Sequence, residues 1–180
     1  EPVAKIIGKK LFWNSSFYVD GDVLDPRPDT EILVQSVLSN IGEARNILDL
    51  GTGTGCVGIS LDLMLPNVTV VASDISDKAL KVARLNSNEN GAEVEFILSD
   101  WLKNITRKFD IIVSNPPYIS SKDFHNLPLD VKKFDPPLAL LGGEDGLECY
   151  RTIAESLATN LTNDGRAFFE IGYGQKENIV

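Results

Sequence analysis

The feature that most constrains the fold of this chain is a series of short apolar runs that alternate with helical segments from residue 46 onward. Strands are predicted over residues 47–50, 68–72, 94–98, 109–113 and 167–171. Helices are predicted between them, over 56–65, 76–88 and 145–159. Because the runs are apolar at consecutive positions, we expect strands that are covered on both faces. The order strand, helix, strand predicts an α/β fold built on a doubly wound, mostly parallel sheet.

The first 28 residues differ from the rest, because aromatic and β-branched side chains there surround the turn-forming residues 14–16. We interpret residues 1–28 as a linker with a short β-hairpin, followed by the main domain over residues 29–180. Asp29 or Thr30 is expected to cap the first helix of that domain.

Charge and hydropathy exclude several classes of protein. The 180 residues include 17 Lys and Arg against 26 Asp and Glu, a net charge of −9. This balance offers no broad cationic face for phosphates, so we expect no direct binding of nucleic acid. No apolar run approaches the roughly eighteen residues of a membrane span, and we expect a cytoplasmic protein. The first residue is Glu1 and a new turn begins at Gly172, which leads us to expect truncation at both ends.

Few residues are available for metal or disulfide chemistry. Cys56 and Cys149 are the only cysteines, and His125 is the only histidine. We therefore expect neither a disulfide framework nor a Cys/His zinc site, and no His-dependent catalytic triad.

A glycine-rich turn follows the first strand of the predicted sheet. It contains Asp49, Gly51, Thr52, Gly53, Thr54 and Gly55. Glycine lets the backbone approach a ligand closely, and the helix after the turn offers unpaired N–H groups. Asp74 ends the second strand, where a carboxylate can accept hydrogen bonds from both hydroxyls of a ribose. We predict a nucleoside pocket, although residues 53–58 also fit the dinucleotide pattern G-x-G-x-x-G and leave a nicotinamide oxidoreductase open.

A second turn, Asn115-Pro116-Pro117-Tyr118, follows the strand at 109–113 and lies at the same edge of the sheet. Proline has no N–H, so the backbone here offers mainly carbonyl groups. Such a turn suits a substrate with an –NH2 group, whose two N–H bonds the Asn115 oxygen and the Pro116 carbonyl can accept. Tyr118 is expected to stack on a planar group. An amide and the exocyclic amine of adenine both meet this description.

Several blocks together resemble one family. The pattern D-x-G-x-G-x-G at 49–55 is similar to the first motif of class I S-adenosylmethionine-dependent methyltransferases. Further matching blocks are Pro26 to Glu31, Ser99-Asp100-Trp101, Leu141 to Leu147 and Glu170-Ile171-Gly172. The chain as a whole resembles the HemK/PrmC family of protein-glutamine methyltransferases, which methylate the glutamine of the Gly-Gly-Gln motif in peptide-chain release factors.

The resemblance implies a Rossmann-like class I fold and S-adenosyl-L-methionine as methyl donor. The positions that surround this methyl donor in the family match the glycine turn together with Asp74, Asp100, Trp101 and Asn115. The positions that hold the glutamine amide match residues 115–118. Family members also carry a helical domain ahead of the first residue and further strands after the last.

Arg27 is expected either to neutralise the carboxylate of the methyl donor or to pair with Asp25 or Asp29. The implied partner is a release factor with its Gly-Gly-Gln loop, met by a monomer. The alternative is a methyltransferase that acts on the exocyclic amine of adenine in DNA or RNA, which the net charge disfavours. A binding module without catalysis is a further alternative.

Overall fold

The structure, a computed structural model, describes residues 2–179. The helices are α1 (Val3–Ile7), α2 (Thr30–Ser39), α3 (Cys56–Met64), α4 (Asp77–Asn90), α5 (Ser121–Asn126), α6 (Leu129–Phe134), α7 (Glu148–Asn160) and α8 (Lys176–Ile179). The strands are β1 (Lys9–Phe12), β2 (Ser15–Tyr18), β3 (Asn46–Leu50), β4 (Thr69–Asp74), β5 (Glu95–Leu98), β6 (Phe109–Ser114) and β7 (Leu161–Phe169).

Strands β3 to β7 form one five-stranded sheet in the order β5-β4-β3-β6-β7, and each neighbouring pair is parallel. The predicted doubly wound sheet is therefore confirmed. The chain adds β4 and β5 on one side of β3 and then crosses over to add β6 and β7 on the other. The carboxyl ends of β3 and β6 flank the point where the direction reverses, which is where open α/β sheets bind ligands. The glycine turn follows β3, and the Asn-Pro-Pro-Tyr turn follows β6.

The central strands are buried on both faces, which explains their uninterrupted apolar sequence. Ile47 of β3 and Ile111 of β6 belong to the core on the side of α2 and α3. Their chain neighbours Leu48 and Ile112 belong to the opposite core with α7. All four side chains are fully buried, whereas the edge strands β5 and β7 are covered only in part.

The predicted N-terminal hairpin consists of β1 and β2 and packs on α4. Asn86, buried within α4, accepts the N–H of Tyr18 at 2.6 Å and donates to the Tyr18 carbonyl at 3.1 Å. The same amide donates to the Thr54 carbonyl at 2.9 Å. One side chain therefore ties the hairpin to the helix and to the glycine turn.

Some element boundaries differ from the sequence prediction. β7 starts at Leu161 rather than at residue 167, because Leu161 pairs with Phe109, residues 162–165 then leave the ladder, and Arg166 rejoins it opposite Ile111. Helix α1 was not predicted. The predicted cap of α2 is wrong, because Asp29 has helical φ and ψ and its side chain makes no capping hydrogen bond.

Residues 115–146 connect β6 to α7 and contain α5, α6 and a short 3-10 helix, Pro137–Ala139. The connection is tied down by Asp135, which is 3% exposed. This carboxylate pairs with Lys5 Nζ at 2.7 Å and with Arg27 Nη2 at 2.9 Å, so its two partners both come from the N-terminal segment. Between residues 2 and 179, none of the helices has both the length and the apolar character that crossing a membrane requires.

Candidate active site

Two cavities meet at the carboxyl edge of the sheet. The first, which we call the glycine cavity, has a volume of about 330 Å³ and is lined by the turn after β3 and by the end of β4. The second, which we call the proline cavity, has a volume of about 290 Å³ and is lined by the turn after β6. The residues that line both are Leu24, Arg27, Asn115, Pro117 and Ala139. Two molecules bound in these cavities would meet at Asn115 and Pro117.

The glycine turn wraps closely around the end of β4. The N–H groups of Gly51 and Thr52 both donate to the Ser73 carbonyl at 2.9 Å. Gly51 has a φ of +75°, and a Cβ at this position would lie 3.4 Å from the Trp101 ring. Gly55 does not line the cavity. It has a φ of +84° at the start of α3, where a Cβ would come within 2.8 Å of Ile59. Gly51 therefore forms part of the cavity wall, whereas Gly55 allows a close contact at the start of α3.

Asp49 stabilises the glycine turn through two hydrogen bonds. Its Oδ2 accepts the Thr52 hydroxyl at 2.5 Å and the Gly58 N–H at 2.9 Å. Burial raises the pKa of this carboxyl to about 6, although the two hydrogen bonds act in the opposite direction. Asp49 also lines the glycine cavity.

Asp74, at the end of β4, lines the same cavity. Its Oδ2 accepts the Gly53 N–H and its Oδ1 accepts the Ser76 N–H, each at 2.9 Å. Burial raises its pKa, while these backbone donors lower it. Each oxygen uses one of its lone pairs on the backbone, so both keep capacity to accept a further hydrogen bond.

Trp101 forms a flat apolar wall of the glycine cavity beside Gly51. Its backbone has a φ of +50°, which is uncommon outside glycine, and the Ser99 hydroxyl holds it by donating to the Trp101 carbonyl at 2.7 Å. Asp100 also lines the cavity, and its carboxylate pairs with Lys103.

The Asn-Pro-Pro-Tyr turn is attached to the glycine turn through Ser114, whose hydroxyl donates to the Leu50 carbonyl at 2.5 Å. Asn115 Nδ2 donates to Thr30 Oγ1 at 3.1 Å. Pro116 and Tyr118 line only the proline cavity. The Tyr118 hydroxyl lies 3.5 Å from Glu170 Oε1, and burial is the main cause of its raised pKa.

The glycines of the block at 141–147 allow a close approach to this turn. A Cβ at Gly142 would lie 2.6 Å from the Pro117 carbonyl oxygen, and one at Gly146 would collide with the Tyr118 carbonyl oxygen. Gln175 Nε2 donates to the Tyr118 carbonyl at 3.0 Å. The backbone of the turn is thus contacted closely by the block at 141–147 and by Gln175.

Arg27 lines both cavities and pairs with Asp25 at 3.1 Å as well as with Asp135. The expected alternative partner Asp29 makes no ion pair with it within residues 2–179. Cys56 is a packing residue, as burial raises the pKa of its thiol to about 12. A thiol in this state is not an activated nucleophile.

Sequence reasoning assigned no function to Thr30 or Glu170, although both lie beside Asn115. Thr30 was predicted as a helix cap and belongs to the matching block Pro26 to Glu31, but its hydroxyl faces the turn instead. Glu170 follows β7, and only the packing of the sheet brings it to the proline cavity. Cys149 and Ile75, which line the glycine cavity, were also not predicted there.

Comparison with known proteins first gives the class. Residues 22–128 match the family model described as methyltransferase small domain. A solved methyltransferase from Pyrococcus furiosus has a TM-score of 0.66 with 21% identity, covering 96% of this chain and 76% of its own. The fold is that of the class I methyltransferases.

Curated relatives give the particular family. The release factor glutamine methyltransferase of Lactococcus lactis subsp. lactis is 44% identical over 180 residues, which cover 99% of this chain and 67% of the relative. That of Cereibacter sphaeroides is 41% identical, covering 100% of this chain and 65% of the relative. This chain belongs to the release factor glutamine methyltransferase family. It spans about two thirds of the length of these relatives.

The methyl donor of such enzymes is S-adenosylmethionine, and the glycine cavity fits it. The Asp74 carboxylate suits the two ribose hydroxyls, because both of its oxygens keep capacity to accept. Trp101 and Ile75 offer apolar walls for a flat base. The absence of a side chain at Gly51 leaves room beside the indole ring.

Proposed function

We propose that this chain transfers a methyl group from S-adenosylmethionine to the side-chain amide nitrogen of the glutamine in the Gly-Gly-Gln motif of a release factor. The observation that carries the proposal is the shared boundary of the two cavities at Asn115 and Pro117. A methyl donor in the glycine cavity and an amide in the proline cavity would meet at this turn. The names of the curated relatives support the same substrate.

The Asn-Pro-Pro-Tyr turn would make the amide nitrogen of the substrate a better nucleophile. An amide nitrogen is a poor nucleophile, because its lone pair is delocalised into the carbonyl group. Asn115 Oδ1 and the Pro116 carbonyl would accept the two N–H bonds of the glutamine amide, which returns electron density to the nitrogen. When bound, S-adenosylmethionine supplies a methyl group on a positively charged sulfur. Alignment of the reactants can lower such a barrier by several kcal/mol, up to about 7 in favourable cases.

Tyr118 would lie against the planar amide from within the proline cavity. The nitrogen gains a bond to the methyl carbon as the carbon–sulfur bond breaks, and it then loses one proton to water. No strong base is required, because the methylated nitrogen that still carries both protons is far more acidic than a neutral amide.

The methyl donor would be held by the glycine turn, Asp74, Asp100 and Trp101, all at the glycine cavity. Gly55 would contribute indirectly, by allowing α3 to start close to α4. Arg27, although paired with Asp25 and Asp135, keeps 42% of its side chain exposed and could still reach an anionic group.

We propose that the substrate is a protein rather than a nucleic acid. We also propose that the enzyme acts as a monomer in the cytoplasm. A net charge of −9 is unfavourable for the phosphate contacts that a base-flipping adenine methyltransferase makes. The curated relatives are named for glutamine and not for adenine. Neither a nicotinamide oxidoreductase nor a plain binding module explains the Asn-Pro-Pro-Tyr turn.

The test is transfer of a radiolabelled methyl group from S-adenosylmethionine. Three acceptors are compared: an unmodified release factor, the same factor with the motif glutamine replaced by alanine, and an adenine-containing oligonucleotide. We expect label only in the unmodified factor, and much less of it with the Asn115→Ala variant. Label in the oligonucleotide alone, or equal labelling of both factors, would refute the proposal.

A further inference from the structure

The two ends of the Asn115 carboxamide differ in what they can do. The oxygen accepts hydrogen bonds and the NH2 group donates them, so only one orientation serves a substrate that brings N–H bonds. The side chain lies between the two cavities and in contact with Thr30. Its surroundings must therefore select the orientation.

Thr30 is the direct neighbour of the NH2 group. Its Oγ1 accepts from Asn115 Nδ2 at 3.1 Å, and its side chain is buried, with 3% of the residue exposed. A buried hydroxyl that accepts one hydrogen bond also needs an acceptor for its own hydrogen. Burial raises the pKa of the Glu170 carboxyl, and the neighbouring side chains of Thr30 and Asn115 act in the opposite direction. We take this carboxylate as the acceptor of the Thr30 hydrogen.

Glu170 is held in place by its backbone. Its N–H donates to the Ser114 carbonyl at 3.0 Å, and its own carbonyl accepts the Tyr150 hydroxyl at 2.8 Å. The side chain lines the proline cavity; within residues 2–179 its buried Oε2 has no hydrogen-bond partner, while the Tyr118 hydroxyl lies 3.5 Å from Oε1. An ionised carboxylate can only accept hydrogen bonds.

Resting on the proposed function, we infer that Thr30 and Glu170 are positioning residues that fix the orientation of the Asn115 amide. The acceptor-only carboxylate orients the Thr30 hydroxyl, and the Thr30 oxygen then attracts Asn115 Nδ2. Asn115 Oδ1 is left to face the substrate. The reversed amide would place its oxygen against the oxygens of Thr30 and Glu170, which is electrostatically unfavourable.

This chain of hydrogen bonds also explains why Thr30 does not cap α2. Its hydroxyl points to the turn after β6, and the helix starts without a side-chain cap. The absence of this cap agrees with a hydroxyl that is engaged elsewhere.

The experiment compares Thr30→Val, which keeps the shape and removes the hydroxyl, with Thr30→Ser, which keeps the hydroxyl. Two quantities are measured in the full chain: the NMR signals and solvent exchange of the Asn115 side-chain NH2, and turnover on the release factor. We expect Thr30→Val to speed the exchange of one NH2 proton about tenfold and to lower kcat about tenfold or more, as loss of one oriented hydrogen bond does. Thr30→Ser should stay within about threefold of the unmodified protein on both measures. Because Thr30 also lines the glycine cavity, affinity for S-adenosylmethionine is measured in both variants, so that a loss of donor binding is separated from a loss of turnover.

Glu170→Gln provides the second arm, because glutamine has the size of glutamate and adds an NH2 donor. We expect a similar fall in kcat without a large change in the unfolding temperature. Thr30→Val combined with Glu170→Gln should be no slower than the slower single variant, since both interrupt one chain of contacts.

Unchanged Asn115 signals in Thr30→Val, or Thr30→Ser as slow as Thr30→Val, would overturn the inference. Strictly multiplicative effects in the double variant would do the same. If the unmodified protein fails to methylate the release factor, the proposed function is wrong, while the NMR comparison still decides whether Thr30 orients Asn115.

Discussion

The buried carboxyl of Asp49 gives a stability prediction whose size and sign follow from the structure. Its pKa rises from the ordinary 3.8 to about 6, first because burial disfavours the charged form. This rise corresponds to about 3 kcal/mol of free energy between the two protonation states. The carboxyl therefore binds a proton more tightly in the folded chain than in the unfolded chain.

The sign follows from proton linkage. A group whose pKa is raised on folding stabilises the fold at low pH, and that contribution is lost as the pH rises from 3.8 to about 6. About 2 kcal/mol of the change falls between about pH 4.5 and about pH 7.5. Above this window the folded chain bears the cost of an ionised, buried carboxylate.

Asp49→Asn isolates this contribution. Both hydrogen bonds of the carboxylate converge on Oδ2, so an asparagine oxygen in that place can accept from Thr52 and from Gly58 as well. The free energy of unfolding is measured by urea denaturation at several pH values for both proteins. We expect the stability of Asp49→Asn relative to the unmodified chain to increase by about 2 kcal/mol across the window. Acids remote from Asp49 titrate equally in both proteins and cancel in the difference, whereas the charge of Asp74 acts on Asp49 and contributes to it.

Asp77→Asn serves as the control of sign. Asp77 is exposed, and hydrogen bonding to Lys81 lowers its pKa, so its contribution is lost as the pH falls and not as it rises. A stability difference for Asp49→Asn that stays flat from about pH 4.5 to about pH 7.5 would show that Asp49 titrates normally. The account of a buried brace under the glycine turn would then be wrong.

Two further predictions concern carboxylates that are held by hydrogen bonds or by an ion pair. Asp74→Asn places an NH2 group where one oxygen accepts a backbone N–H, so the affinity for S-adenosylmethionine should fall by about 1–3 kcal/mol in a calorimetric titration. Asp77→Asn is the matched control. Unchanged affinity for Asp74→Asn would contradict the ribose assignment. Asp135→Ala leaves the buried Lys5 ammonium without its ion-pair partner and should lower the free energy of unfolding by about 3–5 kcal/mol. Asp22→Ala, which breaks an exposed pair, should cost less than about 1 kcal/mol in the same urea titration. Equal losses in the free energy of unfolding for Asp135→Ala and Asp22→Ala would show that burial does not increase the contribution of the Asp135 ion pair to stability.

The sequence by itself determined the sheet and its two turns, because these depend on local pattern. Continuous apolar runs reflect burial on both faces, and the glycine turn reflects backbone angles that few other residues adopt. The four strands β3 to β6 and the two helices α3 and α4 were therefore predicted to within a few residues. The start of the edge strand β7 was predicted less well, since the return of Arg166 to the ladder depends on pairing with β6.

Only the tertiary structure decided what surrounds the Asn-Pro-Pro-Tyr turn. Thr30 and Glu170 are separated by most of the chain. They meet because α2 packs beside β6 and because β7 pairs with β6. Asp135 joins Lys5 and Arg27 for the same kind of reason, through a long connection that has no periodic pattern. A hydrogen-bonding side chain looks the same in sequence whether it caps a helix, faces water or orients an amide. The distinction comes from which acceptors packing places within its reach, and packing is a property of the whole fold.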